Sequence, residues 1–226
     1  MLEMNRSRWK VLLLDLDGTV FPWVPERILE ALESRLNFYR PFPKGFLKPY
    51  FKSVLAFSPE PSLGLLLRSL GLWEYREDFS RILLDIDQTQ EVETILQALG
   101  DLKETCRDLG IQVFFFSSAG SGPGRFAVLD KVFPERPFLL PSGGSKVDPS
   151  LYSAFTGTLP GNPDQWLLCD DVPLVLWTAK QAGLSTVHMR SVLFASGDCI
   201  PFQDALDFQI QNIRELDSLL RSSRGQ

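Results

Sequence analysis

The sequence predicts an α/β chain: a parallel β-sheet core with helices between its strands, interrupted early by a mostly helical insert. Three observations lead there. Short apolar runs, too brief for helices, recur at 10–14, 111–116, 165–169 and 184–189, and the first three stop at acidic or hydroxyl side chains. Between them lie stretches with apolar residues at helical spacing, clearest over 91–109. Residues 21–90 carry helical patterns and nothing that alternates as a strand would.

Composition sets the outer limits. At 226 residues the chain suits one large domain, or a core carrying a smaller insert. Its 44% hydrophobic and 23% charged content is that of a folded globule rather than a disordered chain. A net charge of -5 argues against a nucleic-acid polymer as partner, whereas a small phosphorylated ligand needs only local positive groups. Cys106, Cys169 and Cys199 are far apart, match no metal-ligand pattern and suggest a reducing compartment. No apolar run approaches a membrane span, and the first is interrupted by Asp15. A cytoplasmic protein with no membrane partner is expected; its oligomeric state is not readable.

In chain order, residues 1–9 are a polar lead-in and 10–14 the first strand. Pro22 and Pro25 bar regular structure over 21–24, and Pro25 suits the first turn of a helix reaching about Tyr39. Ile28, Leu29, Leu32 and Leu36 supply its apolar stripe. Shorter helical patterns follow near 46–57, 62–70 and 73–84, divided by Pro59, Pro61 and Gly71. The aromatics of this block, among them Phe38, Tyr39, Phe46, Tyr50, Trp73 and Tyr75, are expected to build a small core. Arg40, Lys44, Lys48 and Lys52 recur at four-residue spacing, but Pro41, Pro43 and Pro49 break the helix that would align them, leaving a solvated face.

The amphipathic helix of 91–109 carries Val92, Ile95, Leu96, Leu99, Leu102, Cys106 and Leu109 on one stripe, with Gly110 placed to end it. A strand over 111–116, a helix over 122–133 and a short strand over 138–140 follow. Asp148 has N-cap character and Pro149 suits the first helical position after it. The strand of 165–169 leads to a helix ending near Gly183, and 184–189 is a strand carrying His188, the one histidine, expected to be structural. A short strand over 207–210, a helix with Ile213, Leu216, Leu219 and Leu220 inward, and a disordered tail from 221 complete the chain.

The chemistry gathers where strands end. Asp15 and Asp17, two residues apart, follow the first strand, and Gly18 lets the chain turn sharply with the Thr19 hydroxyl beside them. Two close carboxylates repel unless a cation neutralises them or one holds a proton, so the pair suits either an oxygen-ligated cation such as Mg²⁺ or an acid beside a nucleophile. Ligands of open parallel sheets sit at this carboxyl edge. Ser117 and Ser118 close the strand of 111–116, where a hydroxyl and successive N–H groups suit a phosphoryl oxygen. Lys146 sits just before a helix start, and Asp170 and Asp171 end the strand of 165–169.

Asp15-Leu16-Asp17-Gly18-Thr19 after an apolar run resembles the first motif of the haloacid dehalogenase-like hydrolases, most of which are phosphatases. The family implies three further stations in order, and Ser117, Lys146 before Asp148-Pro149, and the Asp170-Asp171 pair resemble them. The resemblance covers 10–20 and about 91–220; it implies a Rossmann-like doubly wound core formed by 1–20 and 91–226, with 21–90 as an inserted helical cap of the C1 type. One residue departs from the pattern: Val175 lies where related paired-acid sequences often have Asn.

The family's mechanism implies phosphoryl transfer, with Asp15 attacking phosphorus and Asp17 serving as acid and then base. Ser117 and Lys146 would be catalytic and, with Ser118, would bind the phosphoryl group. The Asp15 carboxylate, the Asp17 backbone carbonyl, Asp170 and Asp171 would hold Mg²⁺. The substrate implied is a small phosphorylated metabolite: a nucleoside monophosphate, a sugar phosphate or a phosphoglycolate-like acid. Phe21-Pro22 and the paired acids faintly resemble the pyrimidine 5'-nucleotidase-like branch. A haloacid dehalogenase, a phosphomutase and a non-catalytic phospholigand-binding protein are the alternatives.

Overall fold

In a computed structural model of the chain, the described residues are 8–21, 25–39, 41–43, 45–47, 49–50, 53, 67–78, 92–117, 123–135, 137–139, 145–190 and 202–223, with backbone alone for 25–29 and 123–127. Five strands form one parallel sheet: β1 (Val11–Leu14), β2 (Gln112–Phe115), β3 (Trp166–Asp170), β4 (Ser185–Met189) and β5 (Phe208–Ile210), in the order β2-β1-β3-β4-β5. β1 lies between β2 and β3, with Leu14 opposite both Phe115 and Cys169. Connections from β1 and from β3 run to opposite sides, so the sheet's switch point, where such sheets bind ligands, falls at the carboxyl ends of these two strands.

The all-apolar composition of β1 follows from burial on both faces. Leu12 and Leu14 join one core with α2 (Val92–Leu109), α3 (Pro123–Val132) and α6 (Ile213–Ser222); Val11 and Leu13 join the other with α4 (Pro149–Ala154) and α5 (Pro173–Gln181). β3 alternates likewise, Leu167 and Cys169 against Trp166 and Leu168. Burying each such leucine contributes about 1.5–3 kcal/mol. The core is therefore a three-layer α/β/α sandwich, as expected for a doubly wound α/β chain.

α2 ends as its sequence requires. The Ile111 N–H donates to Cys106 O at 2.8 Å and the Gly110 N–H to Arg107 O at 3.1 Å, a Schellman closure with Gly110 at φ 70. Gly100, in mid-helix, serves no such purpose: a Cβ there would meet nothing within 4 Å. Gly100→Ala should raise unfolding stability by about 0.5–1 kcal/mol, measured by urea titration. α4 starts as expected, with the Asp148 side chain accepting from the Ser150 N–H at 2.9 Å and Pro149 following it.

Two elements depart from the sequence reading. Of the strand expected over 138–140, residue 140 lies outside the described residues, and 138–139 form one parallel bridge, Phe115 to Phe138; Pro137 offers its carbonyl to Phe115 but has no N–H to extend the ladder backwards. α6 reaches Ser222, past the expected start of the disordered tail, where Arg221 pairs with Asp217 one turn back at 2.8 Å.

Among the described residues of 25–78, every regular element is helical, led by α1 (Pro25–Tyr39). Its end is tied to residues 73–78: Arg35 meets Asp78 at 2.6 Å, Tyr39 donates to the same carboxylate, and Tyr39 stacks on Tyr75 at 3.9 Å. Tyr39 and Tyr75 are half-buried in this contact, whereas Phe38 is 74% exposed. The four regularly spaced cations at 40, 44, 48 and 52 lie outside the described residues. No helix among the described residues is long and apolar enough to cross a membrane.

Candidate active site

β1 delivers Asp15 to the sheet edge while still hydrogen-bonded: the Asp15 N–H donates to Cys169 O at 3.0 Å. The chain then curls, with Phe21 N–H donating to Leu16 O at 2.8 Å and Gly18 N–H to Phe21 O at 2.9 Å. Gly18 has φ 89, a left-handed conformation that strains any residue with a Cβ. The curl buries Leu16, Thr19 and Val20 and leaves Asp15 buried and Asp17 half-buried.

Asp170 reaches the same edge as the last residue of β3. Its Oδ1 accepts from the Val172 N–H at 2.8 Å, which orients the carboxylate, and its Oδ2 accepts from Lys146 Nζ at 2.8 Å. Asp15, Asp170 and Asp171 are all buried, and each offers a carboxylate oxygen within 4.8 Å of the others. Three hard oxygen donors suit a cation such as Mg²⁺. Lys146 pairs with Asp15 and Asp170, so among the described residues three clustered acids face one ammonium, an imbalance that a divalent cation would offset. The donor set fits a metal of this kind.

Lys146 lies in the turn before α4 and joins the two strand ends, its ammonium donating to Asp15 Oδ1 as well as to Asp170. Burial raises the Asp15 carboxyl to about 7; Lys146 opposes this and the like charge of Asp170 adds to it. Burial acts to lower the Lys146 pKa, but the two carboxylates outweigh it and hold the ammonium above its ordinary range. The lysine is a firmly charged bridge between the acids.

The other expected site residues fall into place unequally. Ser117 is buried two residues beyond the end of β2, the strand beside β1. Ser118 lies outside the described residues. The Asp17 carboxylate is not among the clustered acids, which are Asp15, Asp170 and Asp171. Val175 is buried in the apolar cluster packed around α5.

Two groups escaped the sequence reading. Tyr152 donates to the Lys146 carbonyl, and the Phe116 ring lies beneath the Lys146 ammonium. Neither residue type signals a site by itself, since buried aromatics are ordinary core material.

His188 is fully buried opposite Asp170 in the β3–β4 register. Burial lowers its pKa to about 4; the hydrogen bond to the Asp171 backbone and the charge of Asp170 oppose this, and Arg190 adds to it. A histidine held below its unfolded pKa of about 6.5 contributes stability that is complete above that pH and is lost as pH falls toward 4. The stability difference between wild type and His188→Asn should therefore change by up to about 3 kcal/mol between pH 7 and 4, against the wild type at low pH. A difference independent of pH would show that the imidazole is not held neutral.

No protein-family model matches the sequence. No curated protein matches it either. Solved structures do resemble the fold. A dehalogenase superposes with TM-score 0.62 at 17% identity, over 93% of this chain and 96% of that one. A HAD hydrolase of family IA, variant 3, from Entamoeba histolytica gives 0.59 at 14% identity, over 94% and 99%. CbbY from Rhodobacter sphaeroides, solved in complex with phosphate, gives 0.55 at 16% identity, over 92% and 96%. The chain has the haloacid dehalogenase-like fold.

Proposed function

We propose that this protein is a Mg²⁺-dependent phosphatase that hydrolyses a small phosphomonoester through an aspartyl-phosphate on Asp15. The observation that carries the reading is the buried Asp15 carboxylate, joined to Asp170 by Lys146 and clustered with Asp170 and Asp171. One Asp15 oxygen attacks phosphorus as the ester P–O bond breaks, and Asp17 gives a proton to the departing oxygen. Asp17 then takes a proton from water, whose oxygen attacks the same phosphorus and releases phosphate with Asp15 restored. Lys146, with Ser117 and Ser118, binds the phosphoryl oxygens and offsets their charge. Asp15, the Asp17 carbonyl, Asp170 and Asp171 would hold Mg²⁺, which when bound supplies further charge neutralisation at the phosphoryl group.

The likeness to a structure solved with phosphate supports this reading. Residues 21–90 are assigned as a cap that selects the leaving group, and the substrate as a small phosphorylated metabolite. The buried free thiols of Cys106 and Cys169 support a reducing, cytoplasmic location. The test is phosphate release from p-nitrophenyl phosphate and a metabolite panel with Mg²⁺ or EDTA. Release that requires Mg²⁺ is expected; metal-independent chloride release from a haloacid would overturn the assignment.

A further inference from the structure

Lys146 has a long, flexible side chain, yet the chemistry needs its ammonium at one point between two strand ends. Its surroundings hold it from two directions. The Tyr152 hydroxyl, on α4, donates to the Lys146 backbone carbonyl at 2.8 Å. The Phe116 ring, directly before Ser117, has the ammonium 5.3 Å from its centroid, a cation–π distance. Tyr152 meets Phe116 edge-on at 5.9 Å, Phe155 meets it at 5.9 Å, and both Tyr152 and Phe116 are fully buried. Backbone and ammonium of one residue are thus fastened to one aromatic cluster.

We propose that Tyr152 and Phe116 are positioning residues for Lys146. The phenol fixes the backbone of residue 146, and the ring face supports the ammonium against Asp15 and Asp170 while a phosphoryl group enters and leaves. This rests on the phosphatase reading for its catalytic consequence, not for the clamp itself. Burial, with the charge of Asp170, raises the Tyr152 phenol well above its usual pKa, so the hydroxyl remains a donor across the working pH range.

Two readouts test the proposal. With ¹⁵N-lysine labelling, the Lys146 ammonium should give a slowly exchanging ¹H–¹⁵N signal, assigned by its loss in Lys146→Arg. Tyr152→Phe, which keeps the ring, and Phe116→Leu should each broaden or shift that signal. In turnover, Tyr152→Phe should lower kcat about 10-fold with KM changed less than about 2-fold, because a misplaced charge costs most in the transition state. Trp166→Phe is the control: it removes a part-buried side-chain-to-backbone bond of similar length, Trp166 Nε1 to Pro160 O at 2.9 Å, and should leave the ammonium signal and kcat unchanged. An absent wild-type signal, or one indifferent to both substitutions, overturns the clamp. A signal that responds in a protein without phosphatase activity upholds the clamp and overturns the phosphatase reading.

Discussion

Asp15→Asn is expected to abolish phosphomonoester hydrolysis, with a loss of at least about 10³-fold, while the protein stays folded. An amide is isosteric with the carboxylate but is no nucleophile, so the first bond to phosphorus cannot form. The fold has reason to tolerate the change. Asp15 shares a buried cluster with Asp170 and Asp171, and burial already raises its carboxyl to about 7. Removing one of three crowded charges relieves repulsion, so in EDTA the variant should melt no lower than wild type. A beryllofluoride adduct should form on the wild type and not on the variant. Wild-type turnover in Asp15→Asn would remove Asp15 from the mechanism.

Lys146→Met should have the largest effect on stability. It deletes the ammonium that pairs with both Asp15 and Asp170, leaving buried carboxylates without this counter-charge. Breaking such a pair from one side costs about 3–5 kcal/mol. The loss should be greatest in EDTA and partly reversed by Mg²⁺, because a cation at the Asp15, Asp170 and Asp171 oxygens replaces some of the missing charge. Denaturant titrations with and without Mg²⁺ measure both effects. Phosphate release should fall about 10²-fold or more even when the metal restores folding, since the group proposed to meet the phosphoryl charge is gone. Equal stability of variant and wild type in EDTA would mean that the buried acids are protonated and the bridge contributes nothing.

Much of the scaffold was readable because its signals are local. An apolar run buried on both faces needs no partner to be recognised, and Gly110 announces a helix end by the backbone conformation it alone adopts cheaply. At Phe138 the described residues form a bridge where apolar composition suggested a strand, because the missing donor of Pro137 matters only once a neighbour is present.

By itself, the sequence determined the α/β class, the strand ends, and the acids, serine and lysine standing at or near them. Strand order belonged to the tertiary structure: placing β1 between β2 and β3 is what brings Asp15, Ser117 and Asp170 to one edge. So did the closing of the site, in which Lys146 crosses 131 residues of sequence to reach Asp15. The burial of the Asp15, Asp170 and Asp171 carboxylates within one cluster also awaited the fold. The physical reason is the same in each case. Secondary structure responds to neighbours along the chain, whereas charge, burial and hydrogen bonding at a site depend on distances that only packing sets.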